Sequence, residues 1–228
     1  VTDPAAPGII TDILNTELGQ DVEATGDYDW QYALTVDKKI NSKKLIEGIA
    51  SASPYIPRFN AMGVFKFNEI KEIYTGADGI IKEADVIDWT SSRTKIEDVK
   101  TKIEFFYNWD YARKEFNSSV ISDIEHTLMD YDYDYYGLAQ PELVEGGYIH
   151  PESTLIIDDD RGKYIRDHDT AKLFADWMLM WSINQHLLIK LKLPLGKGLN
   201  LEIGDIVKFD KVLGGISNKP YGIDYTII

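Results

Sequence analysis

The strongest constraint on the fold of this chain is an alternating pattern at residues 102–109. In this segment, KIEFFYNW, every second side chain from Ile103 onward is apolar or aromatic. A period of two is that of a β-strand with one buried face, and large aromatic side chains suit a half-buried pleated surface. A chain with such a strand must pair it within a sheet and cover its apolar face, so the sequence predicts a β-containing domain.

The same reasoning predicts several further strands. Alternation or short β-type runs occur at residues 30–36, 86–91, 187–193 and 206–209. Two more runs, residues 55–59 and 64–70, flank the turn-forming residues 60–63, and this arrangement is typical of a β-hairpin.

Three segments have the spacing of amphipathic helices. They cover residues 7–18, a stretch beginning near Asn41 or Ser42, and residues 169–186. The last has the clearest apolar stripe, and Asp167 or Asp169 can serve as its N-cap. Its stripe consists of Ala171, Phe174, Ala175, Met178 and Leu179.

Together these elements predict an α+β fold. We expect mostly antiparallel β-structure, with a barrel-like sheet and a few packed helices. A small helix–strand–helix–hairpin unit would occupy residues 1–80, and a β-barrel-like domain would occupy residues 81–228. Within the second domain we expect an irregular insertion at about 111–150, where the sequence is biased and rich in breakers, and one long helix at about 169–186.

Composition and charge exclude several classes of protein. Hydrophobic residues are 44% of the 228 and charged residues 27%, as in globular domains, and no apolar run is long enough for a membrane span. The chain begins with Val1 and lacks a basic-then-apolar leader, so we expect an excerpt from a longer protein. A net charge of −14 argues against specific nucleic-acid binding. The absence of cysteine excludes disulfides, thiol catalysis and Cys-ligated metals.

Histidines and one acidic run are the candidate metal ligands of the sequence. His126, His150, His168 and His186 are spread along the chain without zinc-site spacing. The run Asp130–Asp134 has carboxylates at alternate positions, as in a calcium loop, but Tyr135 and Pro141 occupy the positions where that loop needs Gly and Glu. A cation-loaded edge, a calcium-stabilised adhesion module and a solvated acidic loop all fit this run.

A second acidic run suggests the main alternative function. Asp158–Asp160 follows the apolar segment LII, and paired carboxylates at a strand end can act as acid and base. Glycosidases use such pairs in aromatic-lined clefts, and this chain has 5 Trp and 14 Tyr. A carbohydrate-binding or carbohydrate-active domain is therefore the alternative hypothesis, although acidic turns are common. The segment Gly196–Gly198 lacks the spacing of a phosphate loop. We assign no catalytic, cofactor-binding or metal-binding residue, and expect a protein that is not an enzyme and has no cofactor or small-molecule substrate.

Several segments, taken in their order along the chain, form a recognisable pattern. They are YIRDHDTAKL (164–173), NQH (184–186), IKLKLPL (189–195) and LNLEIGDIV (199–207), preceded by the N-terminal DPAA helix, KINSKKLI (39–46), GVFKF (63–67) and SSRTKIED (91–98). This order resembles the tail hub and tail-tip structural proteins of marine tailed phages. Two departures are Gly196–Gly198, where a bulkier linker is expected, and residues 111–150, which match nothing.

The resemblance implies a structural role. A hub is a ring of β-rich domains that joins the tail tube to the tip, so partners would be further copies of this chain, with threefold symmetry expected, and other tail proteins. The protein would reside in the virion after assembly in the host cytoplasm. Large aromatic residues could anchor its contacts, although packing in the core is the default role for each of them. These residues are Trp89, Trp109, Trp177 and Trp181.

Overall fold

The computed structural model describes residues 5–19, 28–36, 39–71, 74, 76–123, 153–183, 185–210 and 226–227. The helices are α1 (Ala6–Leu18), α2 (Ser42–Ser51), α3 (His168–Ser182) and the single-turn α4 (Leu195–Gly198). The strands are β1 (Tyr55–Phe59), β2 (Phe65–Glu69), β3 (Gly79–Ile81), β4 (Asp88–Arg93), β5 (Lys102–Asp110), β6 (Glu115–Asp123), β7 (Thr154–Ile157), β8 (Leu187–Lys192), β9 (Ile206–Phe209) and β10 (Thr226–Ile227).

The chain forms two compact units, each built from separate stretches of sequence. Unit 1 comprises residues 1–70, 100–127 and 151–183, and unit 2 comprises the remainder. The sequence predicts two domains, residues 1–80 and 81–228. These compact units do not test whether the chain divides into domains at that point, so that division stays a prediction.

The alternating segment at 102–109 forms the central strand of the main sheet in unit 1. This sheet has the order β6-β5-β7, with β6 antiparallel and β7 parallel to β5. Ile103 and Phe105 are fully buried on one face of β5, and Val120 and Ile157 stand beside Phe105 on the neighbouring strands. The prediction of a strand with one buried face is confirmed.

Helix α3 covers the buried face of this sheet. Its residues Ala171, Phe174, Ala175 and Leu179 are all 0% exposed, which follows from their spacing along one side of the helix. The Phe174 and Phe105 rings lie 4.6 Å apart, so the helix and the sheet meet through an aromatic contact. The helix spans residues 168–182, against an expected range of 169–186.

The helix α3 begins at a capped residue. The Asp167 carboxylate accepts a hydrogen bond of 2.8 Å from the backbone N–H of Thr170. This bond is the main reason that the pKa of Asp167 is lowered, and smaller contributions come from the Thr170 hydroxyl, the Asp169 backbone and His168. Asp167 is thus the N-cap that the sequence allowed.

We expect Asp167→Ala to lower the free energy of unfolding by about 1 kcal/mol, because it removes an N-cap acceptor. The lowered pKa means that the charged cap stabilises the fold at neutral pH and loses this effect as the pH falls below about 4. Asp167→Asn keeps the acceptor without the titration and is the control. Chemical denaturation of the three proteins between neutral and acidic pH measures the difference. A wild-type advantage over Asp167→Asn that persists in acid would contradict the assignment.

The N-terminal part of unit 1 consists of two helices and a hairpin. Asn41 caps α2 through its side chain, which accepts from the Lys43 N–H at 2.9 Å, and Gly19 ends α1 with a left-handed conformation at φ 60°. Strands β1 and β2 pair antiparallel, with Phe59 opposite Phe65. The predicted helices and hairpin are confirmed.

Residues 30–36 do not form the predicted strand. The apolar side chains of the alternation are buried as in a strand, since Trp30 and Tyr32 are each 5% exposed. Their backbone has other partners, however: the Gln31 N–H donates to the Thr170 hydroxyl and the Ala33 N–H donates to the Tyr164 carbonyl. In this segment, β-pairing is limited to an isolated antiparallel bridge between Gln31 and Ala5.

Unit 2 has a small core of its own. Strand β9 lies between β10 and β3, antiparallel to the first and parallel to the second, and β4 pairs antiparallel with β8. Ile81, Val207 and Phe209 form the buried centre of this unit, and Trp89 and Ile189 pack against them.

Two sequence expectations about the β-structure differ from the described strands. Those strands form four sheets of two or three strands and no closed barrel, so the α+β class is confirmed and the barrel-like part stays a prediction. The expected insertion at 111–150 begins with an ordered strand, because residues 115–123 pair with β5 along nearly its whole length. The rest of that range lies outside the described residues, apart from the turn before β6.

Candidate functional site

The acidic run at Asp158–Asp160 forms a local cap. The Asp159 carboxylate accepts bonds from the Arg161 side chain at 2.6, 2.8 and 3.1 Å and from its backbone N–H at 3.0 Å. The Lys163 ammonium lies 2.6 Å from the Asp160 carboxylate. The Arg161 guanidinium is the main cause of a lowered pKa at Asp159. Asp159 and Asp160 stand at the start of the 3₁₀ turn Asp160–Lys163. The lowered pKa of Asp159 does not suit a general acid, which must hold a proton at the working pH.

The described histidines serve different local contacts. The His168 Nδ1 lies 2.8 Å from the Tyr107 hydroxyl in unit 1, and the backbone N–H of His186 donates to the Thr94 hydroxyl in unit 2. Across the described ranges, no three His, Asp or Glu side chains form a group that could hold a metal ion. His126, His150 and the Asp130–Asp134 run lie outside the described residues.

Two tyrosines in unit 1 have raised pKa values for a structural reason. Burial is the largest cause for both Tyr32 and Tyr164. The Tyr32 hydroxyl donates to the Ala52 carbonyl at 2.9 Å, which ties residues 30–36 to the end of α2. Tyr164 packs against Gly48 of α2 so closely that a Cβ there would lie 2.0 Å from its hydroxyl oxygen.

The four tryptophans considered as contact anchors differ in exposure. Trp89 packs against the core of unit 2, and Trp177 against that of unit 1. Trp109 contacts the Phe116 ring and lies 4.8 Å from the Lys163 ammonium. Trp181 stacks on Trp177 and is 42% exposed, which makes it the most exposed of the four.

The turn between β1 and β2 presents three exposed apolar side chains, and among them Met62 is the most exposed large apolar side chain of the described residues of unit 1. We call Phe59, Met62 and Val64 the hairpin tip, and they are 55%, 87% and 51% exposed. The turn is held firmly, because the Asn60 side-chain oxygen accepts from the N–H groups of Met62 at 3.0 Å and Val64 at 2.8 Å. Gly63 takes the left-handed φ of 76° that closes the turn.

An aromatic ladder connects the hairpin tip to the core of unit 1. The Phe59 and Phe65 rings are 5.3 Å apart, Phe65 and Phe67 are 6.3 Å apart, and Phe67 stacks on Tyr55 at 4.4 Å. Tyr55 is 4% exposed. The exposed end of the hairpin is therefore fixed to buried structure, and a fixed surface loses little entropy on binding.

The outer face of the β6-β5-β7 sheet carries a second exposed apolar surface. Ile121, Glu104 and Ile156 stand directly opposite one another on the three strands, and we call them the isoleucine row. The two isoleucines are 47% and 56% exposed. In the next row, Lys102 and Asp123 lie opposite each other and contribute one charge of each sign, so Glu104 sets the net charge around the isoleucines.

Unit 2 carries a third exposed apolar surface. Leu195, Leu199 and Ile203 recur every four residues and are 77%, 71% and 72% exposed. The segment Gly196–Gly198 belongs to helix α4, and the Lys197 ammonium lies 3.2 Å from the Asp85 carboxylate.

The hairpin tip has a signal in the sequence. Met62 and Val64 occupy positions in and beside a tight turn where polar residues are the rule. The isoleucine row had no comparable signal, because it depends on the pairing of β6, which was not expected. Among the described residues, no helix is both long enough and apolar enough to span a membrane.

The fold is similar to that of a chain from a gene transfer agent virion and to that of a tail protein. No protein-family model and no curated protein matches the chain. A chain of the "Virion of native gene transfer agent (GTA) particle" aligns over 90% of this chain with a TM-score of 0.55 and 13% identity. The tail protein from Neisseria meningitidis MC58 aligns over 98% with a TM-score of 0.53 and 8% identity.

This similarity is one of fold, given the low identities. The present chain spans 41% of the length of the gene transfer agent chain and 60% of the length of the Neisseria protein. In both alignments, nearly all of this chain is included, so the likeness extends to both of its units.

Proposed function

We propose that the protein is a non-enzymatic structural component of a phage-type tail, located in the hub or tail tip. Its copies assemble in the host cytoplasm into a homo-oligomeric ring of three that links the tail tube to the tip. Its partners are further copies and other tail proteins, and it binds neither a specific nucleic acid nor a small-molecule substrate.

The observation that carries this proposal is the fold likeness to a virion chain and a tail protein over at least 90% of the chain. Three exposed apolar surfaces support it, since proteins that work through assembly need such surfaces. The carbohydrate-active alternative required available paired carboxylates, and Asp159 and Asp160 are engaged with Arg161 and Lys163.

Immunogold electron microscopy of purified tailed particles tests this function. Antibodies raised against the protein should label particles at the end of the tail, where the tube meets the tip. An antibody against a capsid protein is the control for particle integrity. Particles that are intact but carry no label at the tail would contradict the proposal.

A further inference from the structure

We propose that the hairpin tip of one copy of this chain docks on the isoleucine row of a second copy, with Lys66 of the first facing Glu104 of the second. This inference rests on the proposed function, because it names the contact from which a ring of identical subunits would be built.

The hairpin tip has a basic flank. Residues 59–65 are seven consecutive uncharged residues, and the charged residues next to them are Arg58 and Lys66. These two stand directly opposite each other on β1 and β2. Lys66 is exposed and Arg58 is half-buried. Because side chains alternate along a strand, Val64 lies on the same face of the hairpin as Lys66 and Arg58, and Phe59 lies on the other face. Apolar and basic side chains therefore meet at Val64 and Lys66, on a chain whose net charge is −14.

The isoleucine row has the complementary character. Two half-exposed isoleucines flank one carboxylate, that of Glu104. The hairpin tip and the isoleucine row are both apolar, and the basic charge of the first is opposite to the acidic charge of the second. Complementary charges select the partner and fix the register of a contact. Copies of an acidic chain repel each other at most other places, so a contact between copies is favoured where one side is basic.

The contact joins two different surfaces of the same chain. Such a heterologous contact uses the tip of one copy and the row of the next, and repetition closes into a ring when the rotation allows it. Three side chains make a small contact, and ring closure compensates for this because every copy then uses both of its surfaces.

A charge exchange tests the contact. Sedimentation velocity of the full chain is measured from about 1 to about 100 µM, a range that brackets micromolar association. We expect wild type to associate with rising concentration. Lys66→Glu and Glu104→Lys should each weaken association by about tenfold or more, because each places like charges across the contact. The double variant Lys66→Glu/Glu104→Lys should recover to within about threefold of wild type.

Two further variants separate the contact from general effects. Lys44→Glu makes the same change of net charge at an exposed position of α2 and should associate like wild type. Met62→Asp replaces a side chain that is 87% exposed, so it leaves the fold intact, as its melting curve would verify, and should weaken association about tenfold.

The outcomes distinguish this inference from the proposed function. A double variant no better than the single ones, or a Met62→Asp protein that associates like wild type, would overturn the docking contact while leaving a tail role supported by gold labelling. A wild-type protein that is monomeric over the whole range would overturn both the contact and the ring, and the labelling would then report on the tail role alone.

Discussion

Phe174→Ala is expected to lower the free energy of unfolding of unit 1 by about 4 kcal/mol, the middle of the range for a buried phenylalanine. Phe174 is 0% exposed and its ring contacts Phe105 at 4.6 Å, Trp177 at 6.3 Å and Trp30 at 6.4 Å. The truncation leaves a cavity between α3 and the sheet, and the surrounding rings are too rigid to fill it.

The neighbouring residue provides the matched control. Leu173 lies on the same helix but is 46% exposed, so Leu173→Ala should cost less than about 1 kcal/mol. Urea denaturation followed by tryptophan fluorescence measures both variants, since Trp30 and Trp177 contact Phe174. Equal losses of stability in the two variants would mean that α3 does not bury the side of the helix that carries Phe174.

Gly162→Ala is expected to destabilise unit 1 by about 3 kcal/mol through overpacking. A Cβ at Gly162 would lie 2.0 Å from the carbonyl oxygen of Phe106 and 2.8 Å from the Phe116 ring. The first of these atoms belongs to the backbone of the central strand β5, so it cannot move without disturbing the pairing with β6. The 3₁₀ turn would have to move away from the sheet.

A glycine in open space is the control for this substitution. A Cβ at Gly196, in α4, would meet no heavy atom within 4 Å. Gly196→Ala should therefore be neutral or stabilise by about 0.5–1 kcal/mol, because alanine is the better helix former. Thermal denaturation monitored by circular dichroism compares the two. The close approach at Gly162 would be refuted if its alanine variant melted at the wild-type temperature.

The spacing of apolar residues within one segment is sufficient to predict a helix or strand when that segment has one buried face. The alternation at 103–109 predicts β5 and the apolar stripe at 171–179 predicts α3, because each pattern shows which side chains face a core. Strand β6 could not be read in this way. Its sequence, EFNSSVISD, is rich in residues that disfavour strands, and it becomes a strand through its pairing with β5. Tertiary contacts override propensity there.

The candidate surfaces depended even more on tertiary structure. Ile121, Glu104 and Ile156 come from three different strands, and their alignment follows from the register of the sheet. At residues 30–36 the alternation predicts which side chains are buried, but it does not predict the backbone partners, so the predicted strand is wrong there. Trp30 and Tyr32 are indeed buried, but the backbone of Gln31 and Ala33 bonds to Thr170 and Tyr164.

The parallel pairing of β3 with β9 has a consequence for synthesis. The Asp78 carboxylate accepts from the Ile206 N–H across a sequence separation of 128 residues, and β4 likewise depends on β8 for its partner. On a ribosome, β3 and β4 emerge long before the strands that complete their sheets. The nascent chain therefore holds Ile81 and Trp89 without their native cover until β8 and β9 have been synthesised. Chaperones have their longest opportunity to act at this stage.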